Sequence, residues 1–263
     1  MSFNELNSVE NFIIHQLSGV NLNSGAFDES QDPCKWIYKS SDQIKRGIKE
    51  VLVESEVRES LIRLNPEITK NPELADEVIY KLRAILISVN QVGLVRSNEE
   101  FCEWLCGNKT MPFGESNKHV PVRLIDFENQ SNNDYTITSQ FQMHHLETKI
   151  PDIVLMINGI PIVIGEAKTP VRPSVSWLDG ADEVHNVYEN SVPQLFVPNI
   201  LSFATEGKEL FYGAVRAPLE HWAPWRIEND ENVITNSLGL TEVGEQLIDL
   251  LSPDRLLDIL KNF

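Results

Sequence analysis

An α/β fold, a mixed β-sheet flanked by helices with a mainly helical N-terminal part, follows from three observations. Up to about residue 110 apolar residues recur at helical spacing; beyond about 120 they gather in short runs of strand length; and further helical patterns interrupt and follow those runs. Three segments are expected: a mainly helical part over 1–110, an α/β core over 111–235, and a helical connector over 236–263.

Taken in order, residues 1–35 form a short amphipathic opening and then a loop rich in Asn, Ser, Gly and Asp. Ser41 or Asp42 is placed to cap a helix running to about residue 64, with Ile44, Ile48, Val51 and Leu52 on one side. Asn71 and Pro72 read as the cap and first residue of the next helix, whose Leu74, Val78, Leu82 and Leu86 make one buried stripe. VPVRLIDF (120–127) reads as a strand. DYTITSQFQM reads as another, half-buried, because Tyr135, Ile137, Phe141 and Met143 alternate with polar residues. Two apolar runs around Asn158-Gly159 spell a β-hairpin. A helix over Trp177 to Tyr188 and strands in LFVPNILSFAT and ELFYGAV follow. Ser252-Pro253-Asp254 starts a last helix lined by Leu256, Leu257, Leu260 and Phe263. That helix stops without Gly, Pro or a polar tail, so the chain is expected to be a fragment of something longer.

Composition narrows the classes. No apolar run approaches the about 18 residues of a membrane span, and the N-terminus lacks a basic stretch ahead of an apolar one. No membrane association is expected. Cys34, Cys102 and Cys106 make no CxxC pair and no even framework, which fits a reducing cytoplasm. With 22 basic against 39 acidic residues the net charge is −17, so a phosphate backbone is repelled on average. Any nucleic-acid role therefore needs a local groove, a divalent metal or partner subunits. No GxSxG occurs, and no Cys sits beside a His.

The hairpin PDIVLMINGIPIVIGEAK (151–168) carries the chemistry. Glu166 and Lys168 share a face because side chains alternate along a strand. If Asp152 joins them, two carboxylates and the main-chain carbonyl of Ala167 make a hard oxygen site suited to Mg²⁺ or Mn²⁺, with an ammonium beside it. The pleat sets a condition. A strict two-residue Asn158-Gly159 turn pairs Ile157 with Ile160 and turns Asp152 and Glu166 to opposite faces. One extra residue brings them together: either a three-residue loop with Gly159 as a left-handed bulge residue, pairing Met156 with Ile160, or a bulge near Gly165. A one-residue irregularity is therefore expected in this hairpin.

Asp152, Glu166 and Lys168 resemble the PD-(D/E)xK nuclease motif. Around it RLNPEI (63–68), RLIDFEN (123–129), NNDYTITSQF (132–141), PDIVLMINGIPIVIGEAKTP (151–170), YENSVPQLFVPN (188–199) and SPDRLLDILKNF (252–263) are similar, in order, to the N-terminal nuclease region of the R subunit of type I restriction-modification enzymes. The resemblance spans nearly the whole chain. It implies a restriction-endonuclease-like core over 111–235 and a final helix leading toward motor domains outside this sequence. It also implies metal-dependent, sequence-blind hydrolysis of double-stranded DNA in the bacterial cytoplasm, in a complex with methyltransferase and specificity subunits. ATP would serve the full-length subunit alone, since no GxxxxGK[ST] occurs in these residues. The family often carries Gln-x-x-x-Tyr on the helix after the hairpin. Tyr188 fits the tyrosine but position 184 is Val, leaving His185 or Glu183 as candidates for that niche.

Plainer readings stand beside these. His144 and His145, adjacent on a strand, point apart and read as surface residues. Trp222 and Trp225 read as a packed connection, and Lys45, Arg46 and Lys49 as a solvated face. A non-catalytic docking module and a stand-alone repair nuclease of the same superfamily are the rival functions.

Overall fold

A computed structural model describes residues 8–24, 26–27, 35–169, 174–227 and 239–262. At its centre lies a mixed sheet of seven strands: β1 (Ile37–Tyr38), β2 (Tyr135–Ser139), β3 (Ile153–Ile157), β4 (Ile160–Ala167), β5 (Leu201–Thr205), β6 (Leu210–Gly213) and β7 (Ala223–Pro224). Their order across the sheet is their order in the chain. The pairs β1–β2 and β4–β5 are parallel and the rest antiparallel.

The helices are α1 (Ser8–Ser18), α2 (Glu54–Leu64), α3 (Pro66–Lys70), α4 (Leu74–Val92), α5 (Leu94–Leu105), α6 (Trp177–Asp182), α7 (Glu189–Ser191), α8 (Gly239–Leu251) and α9 (Pro253–Asn262). Helix α1 packs on β1 and β2 beneath α8, while α6 packs on β4 and β5. Coverage on both faces explains why β3 reads IVLMI without alternation: all five residues are buried. The strand expected to be half-buried, β2, is likewise buried throughout.

Several elements differ from the sequence reading. The helix expected from Ser41 or Asp42 starts only at Glu54, and residues 41–53 are turns and bends. Apolar spacing misled because Ile44, Val51 and Leu52 plug the core from an irregular segment, whereas Ile48 is exposed. Of 120–127 only Val120–Pro121 is strand, in a ribbon with Thr110–Met111 outside the main sheet. Helix α4 starts at Leu74, two residues after Pro72, and keeps the expected stripe, with Val78, Leu82 and Leu86 buried. Strand β1 shows that the predominantly helical front part also supplies an edge of the central sheet. The Asn-rich loop lies largely, and Phe263 wholly, outside the described residues. Arg46 is not a solvated cation: its guanidinium lies 3.5 Å from the Phe141 ring centroid. Trp222 is buried against Gly213, and Trp225 donates from Nε1 to Asp249 Oδ2 at 2.7 Å, so both pack as connectors.

Candidate nuclease centre

The hairpin that carries the candidate site is anchored at its tip. Asn158 (φ 53°) and Gly159 (φ 76°) form a two-residue turn with both residues left-handed, a conformation natural to Asn-Gly. The Asn158 side chain is fully buried, donating to Leu124 O at 2.8 Å and Asn133 Oδ1 at 3.0 Å and accepting from Asp134 N at 2.8 Å. Val53 N donates to Gly159 O at 2.9 Å, and a Cβ on Gly159 would stand 2.8 Å from Val53 O. The tip is thus held between the start of α2 and the 120–134 segment.

The expected irregularity is present, at a different place. Ile160 pairs with Ile157 and Pro161 with Met156, but Val163 pairs with Leu155, so the extra residue falls at Ile162 and not in the turn or near Gly165. The physical cause is legible in retrospect. Pro161 has no N–H to give the ladder, and a proline inside a central strand is tolerated at a bulge. Ile162 turns its carbonyl to the other neighbour, accepting from Ile200 N at 2.8 Å. Beyond the bulge Gly165 pairs with Ile153, and the same register carried one step further sets Asp152 opposite Glu166.

Three predicted residues therefore converge at the end of β4. Glu166 is only 3% exposed. Its Oε1 accepts from Lys168 Nζ at 2.7 Å and its Oε2 from the Tyr188 hydroxyl at 3.2 Å. Asp152 Oδ2 accepts from the Ala167 main-chain N–H at 2.9 Å. Lys168 N donates to Thr205 O at 2.8 Å, which extends the parallel ladder with β5 and fixes the lysine past the strand end. The covering helix comes close because α6 has Gly180 there: a Cβ at that position would meet Glu166 Cγ at 3.4 Å and Ala204 Cβ at 3.2 Å.

The helix after α6 widens into one π-helical turn, Glu183–Tyr188. In an α-helix residues four apart align, whereas a turn one residue wider aligns residues five apart. Glu183 and Tyr188 are thereby brought together, the tyrosine hydroxyl donating to Glu183 Oε1 at 3.0 Å, and Lys168 Nζ also donates to Glu183 Oε2. Val184 is fully buried in the core. Of the two candidates for the glutamine niche, Glu183 lies in the site. His185 does not: it faces Glu189, with Nδ1 3.5 Å from Glu189 Oε2.

Two further residues had gone unrecognised in the sequence. Gln140 Nε2 donates to Asp152 Oδ1 at 3.2 Å and to Glu10 Oε2, on α1, at 3.0 Å. Glu10 reads as an ordinary acid in the first turn of an amphipathic helix, and no local spacing ties it to a hairpin so far along the chain.

Glu166 and Glu183 bond one ammonium, with Asp152 beside them and Glu10 beside Asp152, and this arrangement shows in their proton affinities. Burial, then the neighbouring Asp152, pushes Glu166 up to about 8 despite the pull of Lys168. Burial likewise raises Asp152, against the main-chain bond from Ala167, the nearby Lys168 charge and the side-chain bonds from Glu166 and Gln140. Glu10 is pushed up to about 7 by burial and by Asp152. Burial works against the Lys168 charge, but Glu166 and Glu183 outweigh it and hold the ammonium above the ordinary lysine range. Glu183 is the exception among the acids. Burial would raise it, yet the Lys168 bond brings it below the usual carboxylate value.

The family model described as type I restriction enzyme R protein N terminus matches residues 3–221. The chain belongs to that family. It is 27% identical over 218 residues to the type I restriction enzyme HindI endonuclease subunit of Haemophilus influenzae, covering 81% of this chain and 20% of that protein. It is 28% identical over 170 residues to the putative type I restriction enzyme MjaIXP endonuclease subunit of Methanocaldococcus jannaschii (62% and 16%), and 31% identical over 147 residues to the putative MjaVIIIP endonuclease subunit of the same organism (54% and 13%). This R-protein N-terminal region thus spans about a fifth or less of the length of these relatives.

Other features of this R-protein N terminus stay outside the site. His144 lies in a ribbon formed by Met143–His144 and Thr148–Lys149 and bonds Thr148. No helix among the described residues is long and apolar enough to cross a membrane. Among the described residues no group of three or more His, Cys, Asp and Glu side chains is disposed as a metal site. A cation held at the end of β4 would therefore rest on two carboxylates and main-chain oxygen. The donor set fits such an ion: Asp152 and Glu166 supply hard oxygens, and burial raises the proton affinity of both carboxyls.

Proposed function

We propose that this region is a metal-dependent endonuclease domain that hydrolyses DNA phosphodiester bonds without sequence preference, within a type I restriction complex. The observation that carries the reading is the bulge at Ile162, which brings Asp152 to the side of the sheet that holds Glu166 and Lys168. Pro161 accounts for a bulge in this strand, but not for a bulge that gathers two acids and a lysine on one side of the sheet.

Asp152, Glu166 and the Ala167 carbonyl would hold Mg²⁺ or Mn²⁺. Such an ion supplies a bound water of lowered pKa and neutralises charge on the scissile phosphate. The protein's own groups do the rest. Lys168, kept protonated between Glu166 and Glu183, presents an ammonium to the negative charge that grows on the phosphate oxygens. Tyr188 bonds both glutamates and keeps them apart and oriented. Glu166 or Lys168, whose carboxylate and ammonium lie 2.7 Å apart, would orient the attacking water.

Specificity belongs to other chains in this reading. With a net charge of −17 the region is ill suited to hold a duplex by itself. A specificity subunit, a methyltransferase subunit and an ATP-driven translocase beyond this sequence supply the grip, in the bacterial cytoplasm. The test is the reassembled complex carrying Asp152→Ala, Glu166→Ala or Lys168→Ala. Cleavage is lost while ATP hydrolysis continues. A variant that cuts normally removes its residue from the catalytic centre, and three that cut normally make this region a docking module.

A further inference from the structure

Gln140 stands just past the end of β2 in an unusual setting. It is an exposed, non-glycine residue with a left-handed backbone (φ 54°), a conformation that costs on the order of 1 kcal/mol for such a side chain. That turn sends its main-chain N–H to Asp152 O at 3.0 Å and its side-chain amide toward the nuclease centre. There a single nitrogen, Nε2, donates both to Asp152 Oδ1 (3.2 Å) and to Glu10 Oε2 (3.0 Å). The amide is itself oriented by Glu10, which comes from α1, an element pinned on β1 and β2 under α8.

We infer that Gln140 and Glu10 act as one positioning unit that sets the rotation of the Asp152 carboxylate, so that the first helix of the chain takes part in the nuclease centre. The inference rests on the nuclease reading above. The Ala167 N–H fixes one Asp152 oxygen and Gln140 the other, so the plane of the carboxylate is determined from both ends. Glu10 holds the amide so that its N–H, and not its carbonyl, faces Asp152. Partners of this kind, which orient a liganding carboxylate without touching the ion, commonly change metal affinity 10- to 100-fold when removed. A support role for the sheet alone would not require that the bonding be polar or that it run through α1.

The test is calorimetric titration of the chain with Mn²⁺ alone, for the wild type, Gln140→Leu, Glu10→Gln, the double variant and Asp152→Asn, beside urea unfolding of each. Gln140→Leu keeps the volume and removes the donor. It is expected to weaken Mn²⁺ binding about ten-fold or more, with cleavage in the assembled complex recovering at high Mn²⁺. Glu10→Gln weakens binding in the same direction, and the double variant is no weaker than Gln140→Leu alone, because the two act as a unit. Wild-type affinity in a folded Gln140→Leu, or strictly additive losses, overturns the inference while Asp152→Asn still loses the ion. If Asp152→Asn binds Mn²⁺ as the wild type does, or neither binds it, the nuclease reading fails and this inference with it. A variant that unfolds in less urea without a change in affinity marks a structural role and also overturns it.

Discussion

Replacing Glu166 by Gln should make the protein more stable as pH rises, relative to the wild type, while ending its proposed activity. Glu166 is 3% exposed, and its carboxyl is pushed from 4.5 up to about 8 by burial and by Asp152. Folded chain therefore keeps a proton that unfolded chain has released between those values. Stability from this group is complete below the unfolded value, is lost as pH climbs from 4.5 toward 8, and falls no further beyond. At roughly 1.4 kcal/mol per pKa unit, the shift from 4.5 to about 8 sets an upper bound of about 5 kcal/mol. Glutamine has no proton to lose and can still accept from Lys168, which also keeps Glu183. The assay is urea unfolding of both proteins from about pH 5 to about pH 9, taking the difference at each pH so that Glu10 and Glu189, both pushed up to about 7, cancel. The variant should gain on the wild type steadily and then level off near pH 8. A difference that stays flat across the range would refute the reasoning that burial and Asp152 hold the proton on Glu166.

The remaining predictions concern the same end of the sheet. Gly165→Ala places a Cβ 2.1 Å from Phe203 Cζ, flat against the fully buried ring, and should destabilise the fold by about 3 kcal/mol or abolish soluble expression, read by urea unfolding. Val184→Gln, which restores the family's glutamine by sequence, should not improve cleavage. It buries an amide where Val184 is fully enclosed and should cost about 1–3 kcal/mol in the same assay. His185→Ala should leave Mn²⁺ affinity and cleavage unchanged, because the ring faces Glu189 and not the carboxylates; a ten-fold loss in either would return it to the site.

What the chain order determined by itself was the local chemistry. Asn158-Gly159 specifies its two-residue turn because both positions need a left-handed backbone. Uninterrupted apolar runs specify strands covered on both faces, and alternation places Glu166 and Lys168 together. Those facts, with the argument from the pleat, required a slip somewhere in the hairpin. Its site at Ile162 follows from Pro161, a local signal that was open to reading. The helix expected from Ser41 failed for a different reason: Ile44, Val51 and Leu52 have helical spacing, yet their burial is set by neighbouring elements and not by the turn of their own segment. The wider helical turn that exchanges Val184 for Glu183 is likewise set by packing, since nothing in EVHNVY forbids a regular α-helix. Tertiary structure alone decided that Glu10 and Gln140 meet Asp152. Their distances are made by α1 lying across β2, a contact that closes a loop of 130 residues, and a bond of that kind leaves no period or spacing in the sequence to mark it.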